Sequence, residues 1–315
     1  MIPFEWIEQA DERISPHIRR TLFSNDAELN IHLKWENQQV THSFKSRGAL
    51  NKVLSLQPWE LAGGIVTASA GNHGQGVALA CSLTQTKSTV FVSDHAVPAK
   101  VEKMRSMGVE IRPVKGGYAL AEETAIRYAE ENKITWISPY NDGQVIAGQG
   151  TIGLELCDQL TLGRDTSVLV PLGGGGLLAG IGAALETRNC QARLVGVCAT
   201  ASAFMHSLYH HGHQNEVADL PTLADGLSGA VEKDAITIPM VRKYADDVIM
   251  VSEEEIGKAI AFAWYRYQQL IEGSGAVGLA AILSGKVKPP AVIVITGGNI
   301  QPEVHDSLCL RYKEK

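Results

Sequence analysis

The chain has 315 residues, of which 45% are hydrophobic and 20% charged, and a formal net charge of −6. At this length about 75% of the unfolded surface can be buried, so two domains or one large one need no staples, and the acidic balance argues against nucleic acid or an anionic membrane as partner. No uncharged apolar run is long enough to span a bilayer, no basic-then-apolar leader opens the chain, and Cys81, Cys157, Cys190, Cys198 and Cys309 are scattered, which predicts reduced thiols and a cytoplasmic protein.

Along the chain, strand-like runs alternate with helical patterns. A strand at 31–35 precedes a helix at 43–56, and strands at 64–67, 88–93, 109–114 and 135–138 are separated by helices at 74–84, 99–107 and 119–132. A long helical pattern at 143–160 leads to strands at 168–172 and 193–198 around a helix at 177–187. Residues 209–229, with Pro221 and several glycines, are the least periodic and read as a long surface connection. Helices at 235–244, 253–269 and 276–283 then flank strands at 248–251 and 291–296. Ser252 before Glu253, Glu254 and Glu255 is a helix start with acids in its first turn. Only residues 301–315 follow, so no regulatory domain is expected after the last strand.

Such alternation predicts an α/β fold of mostly parallel sheets covered by helices. Nine strands exceed one ordinary sheet, so two domains with a cleft between them are expected. Residues 1–55 and 142–315 would form the larger, and residues 56–141 a smaller domain that closes on substrate.

Three segments carry chemistry. Lys45 stands at the predicted start of a helix, whose partial positive charge disfavours a cation and lowers the lysine pKa. A neutral amine attacks aldehydes, so Lys45 is placed for Schiff-base chemistry. Gly173, Gly174, Gly175 and Gly176 lie between a strand and a helix that opens at Leu177, where turned backbone N–H groups suit a phosphate. Gly174, Gly176 and Ala179 also fit the G-x-G-x-x-A spacing of dinucleotide sites. That pattern needs an acid to hold a ribose about twenty residues on, and residues 191–204 contain none, which disfavours a nicotinamide-dependent oxidoreductase. The third segment, residues 67–76, includes Ser69, Ala70, Gly71, Asn72 and His73 before a helix, a place for a carboxylate or simply a capped turn. Together the three point to a pyridoxal-phosphate enzyme.

With Gly148-Gln149-Gly150-Thr151 and Gly297-Gly298-Asn299, these motifs resemble the serine/threonine dehydratase and serine racemase family, pyridoxal-phosphate enzymes of the tryptophan-synthase-β fold type. The similarity runs from about residue 14 to residue 299. It implies that the cofactor, pyridoxal 5'-phosphate, lies in the cleft between the domains. Lys45 would be its Schiff-base lysine and the later acid or base. Phe44 would lie against the pyridine ring, Asn72 would face the phenolic oxygen, and Gly173 to Gly176 with the Leu177 amide would hold the phosphate. Thr296 would face the pyridine nitrogen, while Ser69, Ala70, Gly71 and His73 would surround the substrate carboxylate. A hydroxyl such as Thr296 does not keep that nitrogen protonated, and this favours β-elimination over transamination. A homodimer acting on a small amino acid is implied as well.

Departures from the family matter too. Racemases carry serine where this chain has Ala70, so loss of water from a β-hydroxy amino acid such as L-threonine or L-serine is expected rather than racemisation. Metal-dependent relatives carry a Glu and an Asp where Cys198 and Phe204 stand, so no divalent ion is expected there. His42 replaces a glycine, and is either close enough to touch substrate or simply solvated. Gly273 stands in a segment that usually reads Glu-Pro. His210, His211 and His213 read as a solvated loop rather than a metal site. Tyr118, Trp264, Tyr265 and Tyr267 read as core or subunit contacts. A serine racemase, a 3-hydroxyaspartate dehydratase and a catalytically silent amino-acid-binding protein remain as alternative readings.

Overall fold

The computed structural model describes residues 1–313. Its N-terminal part contains α1 (Glu5–Ile14), β1 (Phe23–Asp26), β2 (Ile31–Trp35), α2 (Lys45–Ser55) and α3 (Pro58–Leu61). A second run alternates β3 (Ile65–Ala68), α4 (Asn72–Thr84), β4 (Ser88–Ser93), α5 (Pro98–Ser106), β5 (Glu110–Val114), α6 (Tyr118–Asn132) and β6 (Thr135–Trp136). The remainder comprises α7 (Gly143–Gln159), β7 (Ser167–Pro171), α8 (Gly176–Thr187), β8 (Arg193–Ala199), α9 (Phe204–His211) and α10 (Thr237–Tyr244). It ends with β9 (Asp247–Val251), α11 (Glu253–Tyr267), α12 (Gly273–Leu283), β10 (Ala291–Ile295) and α13 (Pro302–Arg311).

The strands form two sheets, as their number suggested. One is ordered β1-β2-β10-β7-β8-β9 and the other β5-β4-β3-β6. Among the described strands only the β1–β2 pair is antiparallel, and the other strand pairs are parallel. The chemistry of β10 explains why it sits inside its sheet. Its five residues, Ala291 to Ile295, are all fully buried, and successive side chains point to opposite faces. Ala291, Ile293 and Ile295 join a cluster with α11 and α12. Val292 and Val294 join one with α8, α9 and α10. A strand apolar on both faces suits a parallel sheet covered by helices on both sides. The smaller sheet repeats this arrangement: Val66 and Phe91 pack on α6, Val90 and Val92 on α4 and α5.

Helix α2 is tied down by a buried ionic network. The Arg47 guanidinium donates two parallel bonds to Glu36, Nε to Oε2 and Nη2 to Oε1, each 2.8 Å, and Nη1 donates to Glu155 Oε1 at 2.7 Å. Lys34 pairs with the same Glu155. Because all four groups are buried, the network fixes α2 against β2 and α7, two residues from Lys45.

Several elements escape periodicity. α1 buries only Ile7, Ala10 and Ile14, β1 is a four-residue polar edge, and α13 follows the last predicted strand. Residues 209–211 belong to α9 rather than to a surface connection. Of the five scattered cysteines, Cys157 on α7 and Cys190 beyond the end of α8 lie close together, their Cα atoms 6.7 Å apart, while Cys81, Cys198 and Cys309 are separate and buried. Two helices packed side by side bring those residues together, which spacing along the chain does not reveal. Ser252 caps α11 as expected: its hydroxyl accepts from the Glu255 amide, and the Glu255 carboxylate accepts from the Ser252 amide.

Candidate active site

The end of β10 places Lys45. Ser43 bridges to Gly297, the Phe44 amide donates to the Thr296 carbonyl at 3.0 Å, and the Gly298 amide donates to the His42 carbonyl at 2.9 Å. Helix α2 therefore begins against the carboxyl end of a central parallel strand, the position where ligands of open α/β sheets bind. Lys45 Nζ donates to the Pro139 carbonyl at 2.9 Å and lies 5.3 Å from the centre of the Phe44 ring. Burial pushes its pKa down to about 8, opposed by the nearby charge of Glu272. The direction is the expected one, but its leading cause is desolvation rather than the helix end.

Opposite stands the glycine loop. Gly175, with φ of 89°, is the N-cap of α8, a backbone conformation that costs other residues strain. Gly174 and Gly176 pack on Tyr140, where an added Cβ would overlap the ring or press on the backbone, and a Cβ on Gly173 would meet the Leu227 backbone at 2.9 Å. The loop is held by Thr237, whose hydroxyl donates to the Gly174 carbonyl at 2.7 Å. Among the described residues, the amides of Gly173, Gly174, Gly175, Gly176 and Leu177 find no acceptor. Unpaired donors at the start of a twelve-residue helix suit an anion, and so fit the phosphate of the expected cofactor.

The third wall is the turn into α4. The Ser69 hydroxyl accepts from the Gly71 amide at 3.2 Å, and Ala70 and Gly71 line the cleft. His73 is buried, with Nε2 3.3 Å from the Ile137 carbonyl and Nδ1 without a partner. Burial first and Lys45 second push its pKa down to about 3. His73 is thus neutral and would bring no positive charge to a carboxylate in the cleft. Asn72 is held at both ends of its amide: Nδ2 donates to Glu272 Oε1 at 2.6 Å, and Oδ1 accepts from Asn299 Nδ2 at 2.7 Å. Glu272 went unnoticed as a site residue. Burial raises its pKa to about 7, with Asp225 contributing.

These residues line one cleft of about 360 Å³, together with Gln149, Thr296, Ser274 and residues 225–230. Tyr118 lines it too and donates to Glu122 at 2.8 Å, and it is exposed rather than part of the core. From α5, Lys100 reaches Asp225 at 2.8 Å and Lys103 reaches Asn299 at 3.1 Å. His42 is exposed with φ of 58°, so a left-handed position explains why a glycine is usual there. Gly273 also has a local reason: a side chain on it would overlap the Leu223 carbonyl. His210 bonds the Val248 carbonyl through Nε2 at 2.8 Å. Among the described residues no group of three His, Cys, Asp or Glu side chains is placed to hold a metal, and no helix is long and apolar enough to cross a membrane.

A cleft at strand ends, lined by a lysine of lowered pKa and by a glycine-rich loop with free amides, has the chemistry that pyridoxal phosphate requires of an α/β scaffold. The sequence profile of the pyridoxal-phosphate dependent enzymes matches residues 9–297, and the chain belongs to that family. Among curated relatives, the L-threonine ammonia-lyase of Geobacter sulfurreducens is 40% identical over 95% of this chain and 76% of its own length. That of Thermotoga maritima is 39% identical over 98% and 78%. Among solved structures, maize serine racemase superposes with a TM-score of 0.90 at 28% identity, covering 99% of this chain and 98% of its own. The processed form of threonine deaminase isoform 2 from Solanum lycopersicum gives 0.88 at 28% identity, covering 97% and 86%.

Proposed function

We propose that this protein is an ammonia-lyase that eliminates water from a small β-hydroxy amino acid, L-threonine or L-serine, and yields a 2-oxo acid and ammonia. The observation that carries the proposal is Lys45: a buried amine of lowered pKa facing free amides at two helix starts. When bound, pyridoxal phosphate supplies an electrophilic aldehyde and an electron sink for the substrate α-carbon. The amides of residues 173–177 would hold its phosphate, with Phe44 beside its ring, Asn72 at its phenolic oxygen and Thr296 at its ring nitrogen. The first amides of α4, with Ser69, Ala70, Gly71 and His73 around them, hold the substrate carboxylate. Lys45 Nζ, neutral in an appreciable fraction near pH 8, takes the α-proton. Loss of the β-hydroxyl as water leaves an enamine, which takes up water and releases ammonia. Ala70 has no proton to deliver from the side opposite the lysine, and this favours elimination over racemisation.

Residues 56–141 form the part that closes on substrate, since Lys100 and Lys103 of α5 cross the cleft to Asp225 and Asn299. The protein works as a cytoplasmic homodimer, and sedimentation velocity tests the oligomeric state. Release of 2-oxo acid from L-threonine, L-serine, 3-hydroxyaspartate and D-serine tests the activity. Turnover of L-threonine or L-serine supports it. Racemisation of serine without oxo-acid release, or no turnover of either, would contradict it.

A further inference from the structure

The buried acid Glu272 has no part in the chemistry described so far, yet it touches the residue assigned to the cofactor's phenolic oxygen. The side-chain amide of Asn72 can make four hydrogen bonds, two as donor and two as acceptor. Its Nδ2 donates one to Glu272 Oε1 at 2.6 Å, and its Oδ1 accepts one from Asn299 Nδ2 at 2.7 Å. Asn299 is itself held, since Nδ2 donates its other hydrogen to the Thr41 carbonyl at 2.9 Å, and Oδ1 accepts from Lys103 at 3.1 Å. Glu272 cannot move to another partner without breaking its surroundings. It is the N-cap of α12, its amide donates to the Gly297 carbonyl at 3.0 Å, and a side chain on Gly297 would overlap its carboxylate.

An acceptor on one side and a donor on the other leave a single orientation for the Asn72 amide. A flipped amide would set its NH₂ against the Asn299 NH₂ and its oxygen against a carboxylate. The second Nδ2 hydrogen is the donor left over, and Asn72 and Glu272 both line the cleft.

We propose that Glu272 and Asn299 are positioning residues that clamp the Asn72 amide, so that its one remaining N–H is aimed into the cleft at the cofactor's phenolic oxygen. This rests on the assignment of Asn72 made above. Lys103 ties the same clamp to α5, so the helix that crosses the cleft is joined to the group that meets the cofactor.

The test uses apoprotein titrated with pyridoxal phosphate and the visible spectrum of the resulting holoprotein. Asn72→Ala should weaken cofactor binding about tenfold, the loss of one hydrogen bond to a charged oxygen, and shift the visible band. Glu272→Ala should do the same, because an amide freed on one side points its donor elsewhere. Glu272→Gln keeps an acceptor of the same shape and should bind cofactor within about twofold of the parent with the band unmoved. In the Asn72→Ala background, Glu272→Ala should add less than about twofold, since it acts through a group already removed.

The clamp is overturned if Asn72→Ala has its effect and Glu272→Ala, still folded by circular dichroism, leaves affinity and spectrum unchanged. It is equally overturned if the two losses multiply. Should Glu272→Ala fail to fold, Glu272→Gln decides: a shifted band or a tenfold loss despite the retained acceptor contradicts the proposal. If Asn72→Ala itself changes nothing while the parent binds cofactor, the assignment of Asn72 fails, and that outcome is distinguishable from failure of the clamp alone.

Discussion

Replacing Gly174 with alanine tests the anion cradle where it is most crowded. The added Cβ would overlap Cγ of the Tyr140 ring and lie 2.6 and 2.7 Å from Cδ1 and Cδ2. Ordinary contact begins near 3.4 Å, and Cγ is the nearest of the three, so ring and loop must separate by about 1 Å. The ring cannot easily supply that movement. Its hydroxyl accepts from the Glu232 amide at 3.0 Å, and the Tyr140 backbone lies under Gly176, where a Cβ would meet the carbonyl at 3.0 Å. The loop must shift instead, against the Thr237 bond to the Gly174 carbonyl, and its free amides move with it. Overpacking of this kind costs about 1–3 kcal/mol. If it falls on the bound state, cofactor affinity drops by about 5- to 150-fold. Fluorescence titration of apoprotein with pyridoxal phosphate measures it, with thermal melting as the check on folding. Gly163→Ala is the control, because a Cβ there meets nothing within 4 Å. If Gly174→Ala folds and binds cofactor as tightly as Gly163→Ala, the cradle has been assigned to the wrong loop.

Three other outcomes follow from the same structure. Arg47→Met leaves the buried carboxylates of Glu36 and Glu155 without their shared partner, so urea unfolding should show a loss of about 3–5 kcal/mol; a loss below about 1 kcal/mol would mean that the network does not anchor α2. Ala70→Ser adds a hydroxyl to the cleft wall; if residue 70 faces the substrate from the side away from Lys45, as the proposed function has it, exchange of the substrate α-hydrogen with solvent should appear where the parent shows elimination alone, as NMR in D₂O would detect. The lowered pKa of Lys45 sets the pH profile of cofactor capture. With a pKa of about 8 in place of 10.5, the neutral fraction at pH 7 is about 10% instead of about 0.03%. Capture by apoprotein should therefore rise towards a plateau just above pH 8, and a rate still climbing at pH 10 would contradict the shift. The sign for stability is the same. Between about pH 8 and 10.5 the folded state binds fewer protons at Lys45 than the unfolded state, so this group makes stability increase with pH across that window.

The architecture was largely legible because the decisive strands are apolar throughout. The run Ala291 to Ile295 reads as a strand covered on both faces whatever its neighbours, and it lies between β2 and β7. The polar edge β1 and the sparse apolar stripe of α1 carry no such signal, since little of either is buried. In the site, Lys45, the glycine loop and the turn at residues 69–73 were singled out by local chemistry, and the structure gathers them in one cleft. Glu272 was passed over because its meaning depends on Asn72, 200 residues away in sequence. The place of Tyr118 in the cleft wall is hidden for a similar reason: an aromatic at a helix start looks like core packing until the facing wall is known. The cause of the Lys45 shift was hidden too, since burial comes from walls contributed by distant segments.

Borohydride reduction of the holoprotein, followed by peptide mapping with mass spectrometry, tests the central claim that Lys45 is the residue that bonds the cofactor. The expected result is one modified peptide carrying the reduced pyridoxyl group on Lys45, with Lys45→Ala unmodified and inactive though folded. A pyridoxyl group on another lysine, or full turnover by Lys45→Ala, would contradict it.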